Sequence, residues 1–265
     1  MMAPDLTIVI ITWNEKDFII PCLESIYNNL PNLSFNIILN DNGSQDGTID
    51  LIKDRFPNID LTKNDRNMGV AFARNHGIAK ATGRYILLLD ADALVLPGAI
   101  EKMVEFMDRH QNIGILGPKL IDANGNLQFS CRRYHTILTS LLRRLSFLPF
   151  IAGSPILKRY YMQDWDHREP QDVEHVIGAC QLIRAKAQES VGLLDRRMFY
   201  GWEDTDYCVR MHRAGYEVFY YPYASIIHFE KKLSHGKIFN RLLFENIKSM
   251  LVFFIKYPTG IIGRY

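Results

Sequence analysis

The chain has 265 residues, enough for one large domain or two fused halves. At 48% apolar and 23% charged it has globular composition, which excludes a disordered chain and any need for disulfides or a structural metal to complete a core. Thirty-one Lys and Arg against 29 Asp and Glu leave +2, too balanced for a protein that lives on nucleic acid.

Leu6–Thr12 is a β-branched run that predicts a fully buried strand. Asp17–Asn28 follows with apolar residues at 18, 19, 20, 23 and 26, close to helical spacing. Asn36–Leu39 reads as a short strand ending in the turn cluster Asn40–Ser44. Thr48–Phe56 reads as a helix, Ile59–Thr62 as a weak strand, Gly69–Ala81 as a helix and Tyr85–Leu89 as a strong strand ending at Asp90. Strand and helix thus alternate over the first hundred residues, which predicts an α/β fold of parallel βαβ units with helices on both faces. Ligands gather at the C-terminal ends of such strands. Three of those ends read Thr12-Trp13-Asn14-Glu15, Asp41-Asn42-Gly43-Ser44 and Asp90-Ala91-Asp92.

Past residue 110 the pattern loosens. Residues 132–168 mix the arginine pairs 132/133 and 143/144 with Leu, Phe and Pro, and predict loop plus a short amphipathic helix. Val173–Ile183 reads as a strand pair or bent strand, Glu203–Ala214 as a helix ended by Gly215, and Glu217–Tyr221 and Ala224–Ile227 as strands. Lys237–Lys256 is amphipathic, with Ile238, Leu242, Leu243, Ile247, Met250 and Leu251 near helical spacing. This tail is basic: after His228 seven cationic residues meet only Glu230 and Glu245, so residues 229–265 carry +5 and residues 1–228 carry −3.

Cys22, Cys131, Cys180 and Cys208 lack metal-finger or C-x-x-C spacing, which predicts reduced thiols in a cytosolic compartment. The first residues carry no basic n-region and only a four-residue apolar run, so no signal peptide is expected. Without export the Asn32 and Asn42 sequons have no meaning. No run reaches 18 apolar residues, so no spanning helix is expected.

Asp90 and Asp92, two carboxylates one residue apart at a strand mouth, suit a hard cation such as Mg²⁺ or Mn²⁺. The plainer role for them is an Asx-type turn before Pro97. Glu203, Asp204 and Asp206 open a helix, where acids are also favoured by the macrodipole and as caps. His228 follows an apolar strand, where a neutral imidazole can complete a carboxylate-bound metal or simply be a satisfied residue. Taken singly, Asp41 is a turn former and Arg74 a solvated helix residue. No P-loop, no dinucleotide G-x-G-x-x-G and no G-x-S-x-G elbow is present.

Their order says more. Thr-Trp-Asn-Glu at a strand end is followed by the run Asp41–Thr48, then Asn67-Met68-Gly69 through Arg74-Asn75, then Leu89-Asp90-Ala91-Asp92. Val176–Cys180, Gly192–Asp195, Phe199-Tyr200, Glu203–Arg210, Ala214–Tyr216, Tyr221-Pro222 and His228 continue the series. Over about residues 6–230 the chain closely resembles family 2 glycosyltransferases, and looks closest to the rhamnosyltransferase-like members that build bacterial surface polysaccharides of the cell envelope.

The resemblance implies a GT-A fold and an inverting transfer from a nucleotide-diphosphate sugar. Asp41 would contact the nucleotide base, with Arg74 nearby, and Thr12, Asn14, Glu15, Asn67 and Asp90 would share in binding the nucleotide-sugar. Asp92, helped by Asp90, would hold a divalent cation on the diphosphate, with His228 reaching the metal or the phosphates. Asp204 would be the catalytic base, and Gly178, Ala179, Trp202, Glu203 and Asp206 would position it and the acceptor. Processive members carry Gln-x-x-Arg-Trp and spanning helices. Here Gln181-Leu182-Ile183-Arg184-Ala185 lacks the Trp and precedes the acidic motif, so transfer of a single sugar is expected.

The expected organisation is one catalytic domain, residues 1–228, with a nucleotide half (1–110), an acceptor half (111–228) and an amphipathic tail (229–265). The rival readings are a nucleotidyltransferase or phosphohydrolase using Asp90 and Asp92, and a non-catalytic nucleotide- or glycan-binding module. The basic tail and the stretch 137–151 predict peripheral contact with the inner face of a membrane and a lipid-linked or polysaccharide acceptor. Packing of both segments on the acceptor half, or a homodimer interface, would use the same residues.

Overall fold

The computed structural model describes residues 3–230 and 241–258. Lys231, Lys232, Lys237, Ile238 and Arg264 of the basic tail lie outside them. Strand β1 (Leu6–Thr12) is buried except at Ile11, as a strand covered on both faces must be. Helix α1 (Lys16–Asn29) buries Ile19, Cys22, Leu23 and Ile26, one stripe at helical spacing, and carries the exposed Pro21 on its other side. The alternation continues through β2 (Phe35–Asp41), α2 (Thr48–Arg55), β3 (Asp60–Lys63), α3 (Val70–Lys80) and β4 (Tyr85–Asp90). Next come β5 (Ala93–Val95), α4 (Ala99–Arg109), β6 (Ile113–Ile121), β7 (Leu127–Gln128) and β8 (Cys131–Arg132).

Three short helices fill the region expected to be loop and one helix: α5 (Ile137–Arg144), α6 (Pro149–Ala152) and α7 (Pro155–Tyr160). Thr136 caps α5 through a reciprocal bond with Thr139, and Ser154 caps α7 ahead of Pro155. The chain then forms β9 (Gln171–Asp172), β10 (His175–Val176), β11 (Cys180–Arg184), α8 (Ala185–Val191), α9 (Glu203–Arg213), β12 (Glu217–His228) and α10 (Arg241–Lys256).

One sheet runs β3-β2-β1-β4-β11-β6-β12-β5 and carries β7 and β9 at its side; β8 and β10 pair separately. The first four strands are parallel, β11 is antiparallel to both neighbours, and β6 and β12 are parallel again. Alternate side chains serve opposite faces: Ile8, Ile10, Leu87 and Leu89 join the core under α1 and α4, while Val9, Ile86 and Leu88 join the core under α3 and α9. A third cluster, with Trp202, Val209, Phe253 and Tyr257, fastens α10 to α9. The expected α/β architecture is therefore present, mostly parallel and covered on both faces.

Two strands run further than hydropathy suggests. β6 is interrupted by Gly114, Gly117 and Pro118, residues that mark close approach: a Cβ at Gly117 would sit 2.8 Å from Val176 Cβ. β12 continues past Pro222 because the register shifts between Tyr221 and Ser225, opposite Pro118 and Lys119, so three residues bulge out and pairing resumes through Ile227. That bulge carries His228 to its place. All four cysteines are free and buried. Among the described residues, no helix is long and apolar enough to cross a membrane.

Candidate active site

Register alone assembles most of the site. Thr12 is paired with Asp41 and Ile11 with Asp90, so three strand ends lie side by side. His228 pairs with Ala93, which puts it beside Asp92. Ala179, just before β11, accepts the Asp90 N–H at 3.0 Å, which brings Gly178 and Ala179 to the same rim. These ends open into a cleft of about 430 Å³, within the usual range for a ligand of sugar-nucleotide size.

At one end the ligand atoms of Asp90, Asp92 and His228 all lie within 4.8 Å of one another, and His228 Nε2 stands 3.5 Å from Asp92 Oδ1. Gln128 sets the imidazole. Its Nε2 donates to the His228 carbonyl at 2.8 Å, so its Oε1 faces His228 Nδ1 at 2.9 Å, and that nitrogen carries the proton. The Nε2 lone pair is thereby aimed at Asp92. Burial lowers the His228 pKa and favours this neutral form. Two carboxylates and an oriented neutral imidazole fit Mg²⁺ or Mn²⁺.

Arg74 occupies the centre. Its Nη2 donates to Asp90 Oδ1 at 2.6 Å and to the Gly178 carbonyl at 2.7 Å, while Nη1 reaches Glu203 Oε1 at 3.3 Å. Gly178 has to be glycine, since a Cβ there would lie 2.4 Å from Arg74 Nη1. Glu203 Oε2 is buried and has no hydrogen-bond partner among the described residues. Burial, then the charge on Asp204, raise the Glu203 pKa.

Asp204 faces the cleft with 16% of its side chain exposed, against 5% for Glu203. Its Oδ2 accepts the Gly178 N–H at 3.0 Å and lies 3.3 Å from His175 Nε2; its Oδ1 accepts the Thr205 N–H at 2.7 Å. Burial pushes this carboxyl up, but His175, Arg74 and the Thr205 N–H together hold it well below the usual carboxylate range. Trp202, ahead of the helix, adopts φ +77°, unusual for a bulky residue, and its ring is fixed 4.2 Å from His135 and 5.2 Å from Phe253.

Thr12, Glu15, Asn67, Arg74, Asp90, Asp92, Gly178, Ala179, Trp202, Glu203, Asp204 and His228 thus share one cleft. Asn14, Asp41 and Asp206 are not part of its lining, and Asn14 is exposed. Asp41 is buried, and its Oδ1 accepts the N–H groups of Gly43 and Ser44 at 3.0 and 2.9 Å, shaping the turn. Asn14 ties that turn to β1 by accepting the Gln45 N–H at 2.8 Å. Asp206 holds Arg210 at 2.9 Å, Lys256 Nζ at 2.6 Å and the Tyr257 hydroxyl at 2.8 Å, so it anchors α10. The residue ahead of α9, Trp202, makes no cap bond, and of the three acids Asp204 accepts a first-turn N–H, that of Thr205. Sequence reasoning missed Gln128, Arg132, His135, Arg143, Tyr160 and His175. The only signals were the arginine pairs and the histidine inside Val173–Ile183.

A GT-A fold is what this sheet and these strand ends define. The profile of glycosyl transferase family 2 matches residues 7–192, and the chain belongs to that family; it is a glycosyltransferase. It is 28% identical over 235 residues to the N-acetylglucosaminyl-diphospho-decaprenol L-rhamnosyltransferase of Mycobacterium tuberculosis, a match spanning 84% of this chain and 76% of that protein. The fold is similar to GalNAc-T7 solved with UDP, GalNAc and Mn²⁺ (TM-score 0.68, 18% identity, 97% of this chain and 50% of that one). It is also similar to the Pyrobaculum calidifontis mannosyltransferase PcManGT with GDP-Man and Mn²⁺ (TM-score 0.63, 17% identity, 99% and 66%).

Proposed function

We propose that the protein moves one sugar, with inversion, from a nucleotide-diphosphate sugar held by residues 1–110 to an acceptor hydroxyl held by residues 111–228, with 229–265 as a membrane-proximal tail. One observation carries this reading: Asp90, Asp92 and His228 converge at one end of the cleft, Asp204 faces it from the other, and Arg74 stands between. When bound by those three residues, a divalent cation neutralises charge growing on the departing diphosphate. Asp204, kept ionised and oriented by the Gly178 and Thr205 N–H groups, takes the proton of the acceptor hydroxyl. The oxygen bonds to the anomeric carbon as the bond to the diphosphate breaks, and the nucleoside diphosphate leaves. Glu203 is screened from the acceptor by its burial and its bond to Arg74, and positions that arginine. Asp41 and Asn14 support the nucleotide side by shaping the turn at the end of β2.

The acceptor is a lipid-linked glycan intermediate of surface-polysaccharide assembly, met at the cytoplasmic face of a membrane. The named substrate of the mycobacterial relative supports this. So does the surface: Phe147 and Phe150 are 75% and 76% exposed, and Ile137, Leu138 and Leu141 project beside them. A panel of nucleotide sugars with Mg²⁺ or Mn²⁺ tests the reaction. Release of a nucleoside diphosphate with sugar transfer is expected; release of pyrophosphate or phosphate, or binding without turnover, overturns it.

A further inference from the structure

Two guanidinium groups line the Asp204 side of the cleft with no carboxylate within ion-pair distance among the described residues, although Arg143 feels the Asp204 charge and bonds the Tyr161 hydroxyl. Arg143 of α5 stands 5.5 Å from the Tyr160 ring, and Arg132 of β8 stands 4.7 Å from the Tyr161 ring. The two tyrosine rings meet edge to face at 4.9 Å, so one aromatic pair carries both cations. Arg132 Nη1 is held by the carbonyls of Phe129 and Cys131, which leaves Nε and Nη2 without a hydrogen-bond partner among the described residues. Arg74, the other arginine of the cleft lining, is matched by Asp90 and Glu203. His135, which shares the cleft with them, is buried and held neutral by burial and then by Arg143, with Arg132 adding to the effect. Two like charges fixed together in a cleft, with donors left over, call for a ligand with more than one negative charge.

The position of α5 says which ligand. Arg143 points into the cleft, whereas Ile137, Leu138 and Leu141 are exposed on the opposite side of the same helix. A helix is about 10–12 Å across, and an interfacial helix sinks its apolar face about 5–10 Å into a bilayer. Seated that way, α5 holds Arg143 at the depth of lipid headgroups. Arg132 pairs across β8 and β10 with His175, which stands 3.3 Å from Asp204, and Arg143 feels the Asp204 charge, so an anion held by the two arginines sits beside the carboxylate that receives the acceptor proton and belongs to the acceptor.

We propose that Arg132 and Arg143 form a subsite for the diphosphate of a prenyl-diphosphate-linked acceptor. The proposal rests on reading the cleft as a glycosyltransferase site with Asp204 at the acceptor hydroxyl. Arg143 grips the diphosphate from α5, Arg132 from β8, and the prenyl chain runs out toward the membrane. Geranylgeranyl diphosphate in detergent micelles, titrated with chelator present and followed by tryptophan fluorescence, tests the subsite directly. The wild type should bind it and should not bind geranylgeraniol in the same micelles. Arg132→Gln and Arg143→Gln should each weaken binding by about ten-fold or more, the scale of losing charge-assisted hydrogen bonds. Affinity for UDP or dTDP with Mn²⁺ should stay unchanged, which also shows that the variants fold. Equal binding of geranylgeraniol, variants that bind like the wild type, or an equal loss of nucleotide affinity would overturn the assignment. Inorganic pyrophosphate binding as tightly as the prenyl compound would remove the lipid from it. If no nucleotide sugar is turned over, the glycosyltransferase reading fails separately. If sugar transfer is observed and both arginines prove irrelevant to prenyl-diphosphate binding, the subsite alone fails.

Discussion

Arg74 Nη2 stands 2.6 Å from Asp90 Oδ1, and that contact joins the cation-binding end of the cleft to helix α9. The same guanidinium continues to Glu203, so strand β4, helix α3 and the acidic turn are held in one geometry by a single buried cation.

Removing that cation takes the counter-charge from Asp90 and leaves the Gly178 carbonyl and Glu203 Oε1 without their donor. Arg74→Met should therefore destabilise the fold by about 3–5 kcal/mol in urea denaturation, the usual scale for breaking a buried pair. Adding Glu203→Gln should recover part of the loss at alkaline pH, where Glu203, with its pKa raised to about 8, would otherwise carry an unpaired buried charge. Arg74→Lys should not rescue, since one ammonium cannot reach Asp90, Gly178 and Glu203 together. A single variant as stable as the wild type would show that the three contacts are not formed together.

Glu203 gives a pH signature. Its folded pKa is raised by burial and by Asp204 above the ordinary 4.5, so between those two values the native state binds more protons than the unfolded chain. The stability it contributes is present below 4.5 and is lost as pH rises toward the folded value. Glu203→Gln should abolish that loss, so the difference in stability between variant and wild type should shift toward the variant as pH rises. Parallel stability–pH curves for the two proteins would refute it.

Asp204 has the opposite character. Its depressed pKa keeps it ionised above 3.8, so the rate should show no acid limb from this carboxyl near neutral pH. Asp204→Asn keeps the shape and cannot accept the proton. Turnover should fall by about 10²–10⁴-fold while Mn²⁺-dependent nucleotide binding persists. Near-normal transfer by the variant would move the role of base elsewhere.

The nucleotide side was legible because its strands are continuous apolar runs and its chemistry sits at their ends, one residue from where hydropathy stops. The boundaries of β1, α3 and β4 agree with the pattern to within a residue. The acceptor side was not. β6 carries two glycines and a proline, and β12 crosses Pro222 by a bulge, features that read locally as breaks and are tolerated only because neighbouring strands close over them. The residues that complete the site there, Gln128, His175 and Arg143, act across 100, 29 and 61 positions of sequence on His228 and Asp204, and no local motif encodes such pairs. Asp206 shows the converse. It belongs to the acidic motif by sequence, yet its partners Lys256 and Tyr257 make it an anchor for α10.

Gln128 offers a test of the cation end that leaves the carboxylates intact. Gln128→Leu removes the acceptor that keeps the proton on His228 Nδ1, so the ring is free to turn or change tautomer. Mn²⁺-dependent nucleotide binding should weaken about 10–100-fold, the range for losing an outer-shell partner. Asp92→Asn should weaken it further. If chelator leaves nucleotide-sugar binding by the wild type untouched, no cation acts there and both expectations fail.

The last prediction concerns the surface beside the acceptor cleft. Helix α10 buries Leu242, Ser249 and Phe253, and Phe253 packs with Trp202 and Val209. A second stripe, Phe244, Leu251 and Ile255, recurs at seven and four residues and is exposed, on the face away from the packed one. Arg144 bonds Asn246 at 3.3 Å and so joins α10 to α5, whose own outer side shows Ile137, Leu138 and Leu141. Apolar residues exposed on linked helices, with Lys248 and Arg144 among them, suit a headgroup layer, where each basic residue contributes about 1 kcal/mol against anionic lipid. Co-sedimentation with phosphatidylglycerol-containing vesicles should therefore succeed at low salt and fall as salt rises. Phe147→Ser with Phe150→Ser should weaken it at every salt concentration, because those side chains act by burial and not by charge. Leu251→Ser with Ile255→Ser should do the same if both helices meet the bilayer together. A protein that ignores such vesicles, and whose sedimentation equilibrium shows a dimer dissolved by the same serine substitutions, would assign these faces to a second copy of the chain.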